Sequence, residues 1–377
     1  MGRHQGYLRD RYGAAWKSDY VMNALIVSLN FNPGHFSHLV ANYRLFEELG
    51  YEPYLYINSS FNRMDDANEF RKINTSDQHR ELGPVSIAVF WFPSVRNIGE
   101  IVRLRLSSPA RIVYVFHEPF DSIKAYRDSG FGWLKIARIV MINLVNIPVL
   151  FLSHRIILPS LAAYSLYEKK YTALNGNYCR IPLPFDDEAV SGRVEFGEKE
   201  FFSYIGTIAA DHAFDRFVDF VDIAVSNGWL TKQKFLVATR STIPARERQI
   251  LHRLLQSGRV VIREGAPLTT QEMNHHYQRS LVVWNAYNRS MQSGVLPKAY
   301  MFGAAVITLR RNANEFVDDR ETCILIDDNT DKEEIRKAVE EIERRSSEFA
   351  QRCRERFLKT FYYKGMVASF RRLVESQ

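Results

Sequence analysis

The sequence predicts an α/β protein built from two doubly wound parallel-sheet domains. Short apolar runs rich in Val, Ile, Phe and Tyr alternate with amphipathic helical segments from Asn23 onward, which is typical of parallel βαβ units. The alternation stops once, at 179–200, and then starts again. The chain has 377 residues, more than one hydrophobic core usually serves, so two domains are expected.

The first domain is predicted over residues 21–185, after a polar arm at 1–20. Each of its candidate strands ends in a polar loop, where open parallel sheets bind ligands. The candidate strands are 23–30, 51–58, 85–93, 111–118 and 154–160.

The second domain is predicted over residues 201–355, after a linker at 186–200 that carries acids and glycines and has no helical face. Its candidate strands are 201–207, 233–240, 259–265, 280–286, 304–310 and 322–328. The last segment, 356–377, is predicted to pack back on the first domain. It has a predicted break near 360–363, and the piece after the break is amphipathic.

Composition and charge limit the classes of partner and compartment. A net charge of +7 attracts phosphates or an anionic bilayer, whereas no nucleic-acid-binding signature accompanies it, so nucleic acid is not an expected partner. Cys179, Cys323 and Cys353 are too few and too scattered for a disulfide framework or a zinc cluster. The first twenty residues lack the apolar stretch of a secretory signal, which predicts a cytoplasmic protein.

Several stretches that join a strand, a loop and a helix follow one another in a characteristic order. In the first half they are LNFNPGHFSHLVANYRLFEELGYEP, RIVYVFHEPF, SHRIILPS and CRIPLPFDD. In the second half they are FSYIGTIAADHAFDRFVDFV, VVIREGAPLTTQEMNHHYQRSLVVWNAY and NAYNRSMQSGVLPKAYMFGAAVITLRRNANEFV. Together they resemble the landmarks of the GT-B glycosyltransferases, particularly the retaining family that includes many bacterial polysaccharide and lipopolysaccharide enzymes. The resemblance covers almost the whole chain and implies two Rossmann-like domains that face a cleft, with a helical tail.

The resemblance also implies an activity. It implies a hexosyltransferase that moves a sugar from a nucleoside diphosphate, expected to be uridine-based, to a glycan or lipid-linked glycan in bacterial surface-polysaccharide synthesis, with retention. The nucleotide sugar is the substrate, and no cofactor or metal is expected, since no His, Asp and Glu cluster has metal-ligand spacing in the sequence.

The predicted donor site departs from the family pattern. Counted from Gly303, the two positions that carry acids in the family are Ser290 and Lys298 here, and the family's arginine and lysine after the first strand of the second domain are Thr207 and His212. These differences raise the alternative of a catalytically silent GT-B module that binds a glycan or a partner transferase. A sugar-nucleotide epimerase of the same fold needs acids around the sugar carbon that the sequence does not identify.

The donor-site candidates follow from the chemistry of the leaving group. Negative charge grows on the diphosphate as the glycosidic bond breaks, so backbone N–H groups or cations must face it. The predicted donor-binding residues are Gly206, Thr207, Arg240, Glu264, Ser290, Ser293, Gly294, Lys298 and Glu315. For the charged residues among them, the alternative is an ordinary solvated side chain.

His117 and Glu118 are the predicted catalytic pair, because they end an apolar strand and His117 matches the family's histidine beside the reacting sugar. Glu118 is expected to act as acceptor-side base or orienting group, or simply to cap the next turn. Gly34 and His35, on the first loop, are the predicted acceptor contacts, whereas His38 is expected to face only the core.

The segment 131–152 is apolar and long enough to span a bilayer. Polar residues and a proline interrupt it, so the prediction is an exposed helix whose Trp133, Lys135 and Arg138 meet lipid headgroups, with the protein peripheral on the inner membrane face. A fully buried core helix is the alternative.

Overall fold

The fold consists of two parallel sheets covered by helices. The structure is a computed structural model and describes residues 22–64, 68–74, 82–189, 199–265, 269–289, 291 and 293–375. Within these residues one sheet has seven strands and the other has six, and every strand pair is parallel. The predicted class of two doubly wound α/β domains is confirmed. The predicted arm at 1–20, most of the linker and Ser290 lie outside the described residues.

The first sheet contains all five predicted strands and two short additional ones. Its strands are β1 (Asn23–Ser28), β2 (Glu52–Ile57), β3 (Lys72–Ile73), β4 (Val85–Trp91), β5 (Arg111–Val115), β6 (Arg155–Leu158) and β7 (Tyr178–Arg180). Its helices are α1 (Phe36–Glu48), α2 (Val95–Ser107), α3 (Ile123–Asp128), α4 (Trp133–Leu152) and α5 (Leu161–Lys170). The strand order β3-β2-β1-β4-β5-β6-β7 reverses direction between β1 and β4, and open sheets bind ligands at such a point.

The second sheet contains all six predicted strands. They are β8 (Phe201–Ile205), β9 (Lys234–Thr239), β10 (Val260–Glu264), β11 (Ser280–Trp284), β12 (Ala305–Leu309) and β13 (Cys323–Ile326). The helices are α6 (Phe214–Ser226), α7 (Ala245–Leu255), α8 (Thr270–Gln278), α9 (Val295–Met301) and α10 (Lys332–Arg344). The order β10-β9-β8-β11-β12-β13 reverses between β8 and β11, which gives the second domain its own ligand crevice.

Aromatic side chains fill much of the core of the second domain. Phe202 on β8 packs edge-on against Phe217 on α6 at 5.3 Å between ring centroids, and Phe217 packs against Trp284 on β11 at 5.8 Å. All three are fully buried. Edge contacts of this kind stabilise a core beyond what the burial of each ring's area contributes, so the high aromatic content of the sequence has a structural use.

The C-terminal part of the chain returns to the first domain. Helix α11 (Ser346–Thr360) packs on α9, and α12 (Tyr363–Glu375) packs on α1. The predicted break near 360–363 is confirmed, but α11 runs across the predicted domain boundary at 355–356. Backbone bonds from Phe185 N to Phe361 O, 2.8 Å, and from Tyr363 N to Phe185 O, 3.0 Å, join the returning chain to the first crossing.

Candidate functional site

The ligand crevices of the two domains face each other across a cleft, and polar side chains bridge it. Arg240, which follows β9, donates from Nη2 to Asn32 Oδ1 at 3.1 Å. Arg289, in the loop between β11 and α9, donates from Nη1 to Glu118 Oε1 at 2.6 Å. The predicted residues Arg240 and Glu118 therefore both lie at the cleft.

One wall of the cleft is a cluster of rings from the first domain. The ring of His35 stacks on Phe92, which follows β4, with 3.3 Å between centroids and 12° between planes. The ring of His117, which follows β5, lies 5.8 Å from the same Phe92 ring. Asn32 caps the turn that carries His35, since its side chain accepts a hydrogen bond from Gly34 N at 3.2 Å. The fold thus brings the predicted acceptor residues next to the predicted catalytic histidine.

Phe92 was not identified from the sequence. Its φ of 61° lies in the left-handed region, which a bulky residue adopts at a cost on the order of 1 kcal/mol and which is often found at functional sites. In the sequence Phe92 looks like one more apolar residue at the end of β4, so only the backbone conformation reveals it.

The three histidines at this wall are held in the neutral form. Burial lowers the pKa of His35 to about 2, with further contributions from His38, His117 and Arg240. Burial also lowers the pKa of His38 to about 3, against a hydrogen bond to the Pro184 carbonyl. The pKa of His117 is lowered by burial as well, against the attraction of Glu118. Neutral imidazoles suit hydrogen bonding to sugar hydroxyls, because each ring offers one donor and one acceptor.

His117 keeps hydrogen-bonding capacity for a ligand, whereas His35 offers no free nitrogen to the cleft. His117 makes no hydrogen bond with the described residues, although its ring contacts Phe92. The Nε2 atom of His35 lies 2.8 Å from Asn32 Nδ2, and its Nδ1 is buried without a hydrogen-bond partner among the described residues. A buried nitrogen without a partner is costly, and Nδ1 is too enclosed to contact a ligand hydroxyl directly.

His38 packs in the core, as the sequence predicts, and it also faces the second domain. Its side chain is buried, its Nδ1 lies 3.1 Å from Pro184 O, and its ring stacks on Trp91 at 5.4 Å. A Cβ added to Gly294 would lie 3.9 Å from His38 Nε2. His38 therefore packs in the core on one side and faces the donor helix on the other.

We predict that His38 makes the protein less stable in acid. Its folded pKa of about 3 lies below the ordinary 6.5, so only the unfolded chain takes up the proton as pH falls below 6.5, and stability is lost progressively towards pH 3. The free energy of unfolding should fall by about 2 kcal/mol between pH 7 and pH 5 through His38 alone. Urea unfolding at both pH values should give a smaller difference for His38→Gln than for the wild type. Equal differences would contradict this assignment.

The opposite wall is formed by two turns of the second domain that touch. Gly206 follows β8 with a φ of 135°, and a Cβ added there would lie 3.5 Å from Val295 Cγ2 at the start of α9. Ser293 Oγ accepts a hydrogen bond from Val295 N at 3.2 Å. The predicted residues Gly206, Ser293 and Gly294 are therefore close together. The Gly206 N–H is already bonded to Ala238 O at 3.0 Å, so it is not the free amide donor that the sequence predicted. Gly206 instead lets the two turns lie close to each other.

His212 stands where the family carries a lysine, and the structure holds it in one orientation. Its Nδ1 lies 2.7 Å from Thr207 O, and its ring stacks on Tyr287 at 4.4 Å. Since a carbonyl oxygen only accepts, Nδ1 carries a proton, and Nε2 lies 4.0 Å from Asp211 Oδ1. Thr207, predicted to bind the donor, thus offers its side chain and not its carbonyl.

Lys298 forms an ion pair that the sequence did not predict. Its ammonium contacts the carboxylate of Glu188, and both side chains are largely buried. Asn274 donates to the same carboxylate at 2.9 Å. Burial alone would raise the pKa of Glu188, but the charge and hydrogen bond of Lys298 hold it below its usual value. Where the family that the sequence resembles carries an acid, this chain has Lys298, and the carboxylate beside it comes from Glu188. The sequence predicted Glu188 to lie in the linker.

Three consecutive acids of this crossing bind three different helices. Arg44 Nη1 on α1 lies 2.7 Å from Asp186 Oδ2, and Arg354 Nη1 on α11 lies 2.8 Å from Asp187 Oδ1. Glu188 adds the contact to α9. We call Asp186, Asp187 and Glu188 the acidic crossing.

We predict that Lys298→Met destabilises the protein by about 3 kcal/mol, because it leaves the Glu188 carboxylate largely buried without its countercharge. Adding Glu188→Gln should recover most of this loss, since a neutral amide can still pair with Asn274. The urea midpoints of the two variants would be compared with that of the wild type. If Lys298→Met alone leaves the midpoint unchanged, the pair makes no net contribution.

Two predicted donor-site acids are bonded elsewhere in the chain. Glu264 Oε1 accepts hydrogen bonds from Ile243 N at 2.7 Å and Arg248 Nη2 at 2.5 Å. Glu315 Oε1 accepts one from Leu161 N at 2.5 Å, which caps helix α5 of the first domain. These contacts give both carboxylates a structural role, and the structure does not group either of them with the residues around His117.

The remaining predictions concern regions outside the cleft. Trp133, Lys135 and Arg138 lie on the exposed side of α4. Across the described residues no group of three or more His, Cys, Asp or Glu side chains is arranged to hold a metal ion.

Arg289 is the charged cleft residue that the sequence missed, since nothing in its local sequence distinguishes it from a solvated arginine.

Solved structures with the same architecture share very little sequence with this chain. Sucrose-phosphate synthase from Thermosynechococcus elongatus is similar with a TM-score of 0.69 and 12% identity, over 93% of this chain and 98% of that one. HepE from Anabaena, in complex with UDP and glucose, gives 0.67 and 9% over 94% and 100%. The pneumococcal O-GlcNAc transferase GtfA, in complex with UDP and GlcNAc, gives 0.62 and 11% over 95% and 99%.

These likenesses extend over nearly the full length of the chains compared, and they confirm the predicted GT-B fold. No protein-family model and no curated protein matches the sequence. At such low identity the likeness is one of fold, so the activity must be argued from the cleft itself.

Proposed function

We propose that this protein is a glycosyltransferase that moves a hexose from a uridine diphosphate sugar to a hydroxyl group of a glycan or a lipid-linked glycan, with retention of configuration and without a metal. One observation carries the proposal. Neutral His117, whose ring has no hydrogen-bond partner among the described residues, lies beside the Phe92 and His35 rings on one side of a GT-B cleft whose other side carries a glycine turn and Arg289.

The chemistry requires one bond to break and one to form. The bond between the anomeric carbon and the β-phosphate oxygen breaks, its electron pair stays on the departing UDP, and the acceptor oxygen bonds to the same carbon. The acceptor hydroxyl loses its proton, and either Glu118 or a phosphate oxygen of the leaving group accepts it. His117 hydrogen-bonds the sugar hydroxyls and so orients the reacting carbon.

The donor is held differently from the family pattern. Lys298 is neutralised by Glu188 and is not free to meet the diphosphate. Arg289 is the stronger candidate, because its side chain is only 10% exposed and so held in place, and a guanidinium can bind two oxygens of a phosphate at once. In the structure its partner is Glu118, so an arriving diphosphate would compete with that carboxylate.

The choice of donor and compartment has separate support. HepE was solved with UDP-glucose, and GtfA with UDP and GlcNAc, which are both hexose systems. Cys179, Cys323 and Cys353 are free thiols, as is usual in the reducing cytoplasm. We therefore propose that the reaction takes place in the cytoplasm, and the sequence resemblance described above supports glycan synthesis of the bacterial surface type.

Calorimetry tests the proposal. The protein would be titrated with UDP, UDP-glucose and UDP-GlcNAc, and with the GDP and ADP sugars as controls. We expect binding of at least one UDP compound, and release of UDP when a glycan acceptor is added. Absence of binding to every nucleotide sugar would reject the proposal and favour the silent module that binds a glycan or a partner transferase.

A further inference from the structure

Helix α4 exposes an apolar stripe that none of the described residues covers. Leu134 is 91% exposed and Phe151 is 71% exposed, and Met141 and Leu144 lie between them on the same side of the helix. The spacing of seven, three and seven residues is that of one helix face. Within the described residues α4 is also the one helix long and apolar enough to cross a bilayer.

The opposite side of α4 is bonded into the first domain, which excludes a spanning arrangement. Tyr114 OH donates to Asn146 Oδ1 at 2.7 Å, and Tyr171 OH donates to Asn143 Oδ1 at 2.7 Å. Val149 is fully buried. A helix that crossed a bilayer would lose these contacts and open the core of the domain, so α4 can meet a membrane only along its exposed side.

A second helix widens this surface. Helix α2 packs beside α4 and exposes Leu106 at 84%, together with Val95 and Val102. Soluble monomers rarely leave large contiguous apolar patches open to water. The docking face is defined here by the exposed residues of both helices: Val95, Val102, Leu106, Trp133, Leu134, Met141, Leu144 and Phe151.

Basic groups surround the beginning of α4. Residues 122–152 contain Lys124, Arg127, Lys135 and Arg138 but one acid, Asp128. Two of these cations lie over neighbouring rings: the Arg127 guanidinium is 4.8 Å from the centre of the Trp133 ring, and Lys135 Nζ is 4.5 Å from that of Phe131. An apolar stripe with Trp at its edge and cations beside it matches the layers of an anionic bilayer, whose headgroups are negative and whose interior is apolar.

We propose that the docking face binds the surface of an anionic phospholipid bilayer, with α4 lying in the headgroup plane. The basic end of α4 is close to the cleft, because Tyr126 on the preceding helix α3 lies under the Arg289 guanidinium at 4.5 Å. Docking therefore holds the cleft near the membrane, where an acceptor attached to a lipid would be reached. Binding is measured without any nucleotide sugar, so its failure is separate from failure of the proposed activity.

Vesicle sedimentation tests the docking face. The full chain would be mixed with phosphatidylcholine vesicles, with or without phosphatidylglycerol, at low and high ionic strength. We expect binding that needs the anionic lipid and weakens with salt. Trp133→Asp with Leu134→Asp should lower the partition coefficient about ten-fold or more, and Arg138→Gln should lower it about five-fold at low ionic strength.

A matched control distinguishes binding through the docking face from non-specific hydrophobic adsorption to vesicles. Leu255→Asp with Leu358→Asp removes two apolar residues that are each 40% exposed on other helices, adds the same charge and should leave vesicle binding unchanged. The proposal is overturned if the two double variants behave alike, or if the wild type binds neither vesicle. It is also overturned if light scattering shows that the wild type is a dimer, that the Trp133→Asp and Leu134→Asp variant is a monomer, and that the wild type does not bind vesicles.

Discussion

Replacing His117 by alanine is expected to reduce glycosyl transfer by about 10²- to 10⁴-fold without unfolding the protein. The side chain makes no hydrogen bond with the described residues, so alanine leaves no orphaned partner behind. Its ring lies 5.8 Å from the Phe92 ring, a contact that contains no hydrogen bond. The loss should therefore appear in kcat and not in the urea midpoint, both measured with the donor that calorimetry identifies.

A second histidine provides the control for this experiment. His252 lies on α7 and is exposed, and His252→Ala should retain wild-type turnover. Full activity of His117→Ala would remove His117 from the reacting centre. A lower midpoint with unchanged activity per folded molecule would assign it a structural role instead.

Replacing Arg289 by glutamine is expected to lower kcat by about 10²- to 10³-fold, the loss typical of removing one group that stabilises developing negative charge. The guanidinium is packed over the Tyr126 ring and bonded to Glu118, so it is already held in the cleft before the donor binds. Arg289→Lys should recover part of the activity, because it keeps the charge but not the two-pronged geometry.

Two further variants distinguish stabilisation of the diphosphate charge from a purely structural role of the Arg289–Glu118 ion pair, which joins the two domains. Glu118→Gln breaks the same ion pair from the other side. A purely structural role therefore predicts equal effects of Glu118→Gln and Arg289→Gln on the UDP dissociation constant. Charge stabilisation predicts weaker UDP binding only for Arg289→Gln. Arg240→Gln loses an exposed contact to Asn32 and should have the smaller effect. Equal UDP affinity in all three variants would reject the assignment of Arg289.

The sequence predicted the fold well because strands of a buried parallel sheet are continuous apolar runs. Eleven strands were identified in this way. The two that were missed, β3 and β7, have two and three residues at the edge of the sheet. An element that short has no room for an apolar pattern, and its position depends on the strand beside it.

The site was predicted less completely, because several of its residues are defined by partners far away in sequence. His117 was identified from its place at a strand end. Arg289 and Glu188 were not, since each acquires its role from a side chain more than a hundred residues away. Phe92 was missed because its role lies in its backbone angle. Contacts between domains and unusual backbone conformations leave no local pattern.

The acidic crossing lies beside the point where the returning chain bonds to Phe185. Four consecutive residues, 185–188, therefore join helices α1, α9 and α11 and the returning chain at one place. The connection between the two halves of the molecule depends on backbone hydrogen bonds at Phe185 and on buried or half-buried charges directly beside it.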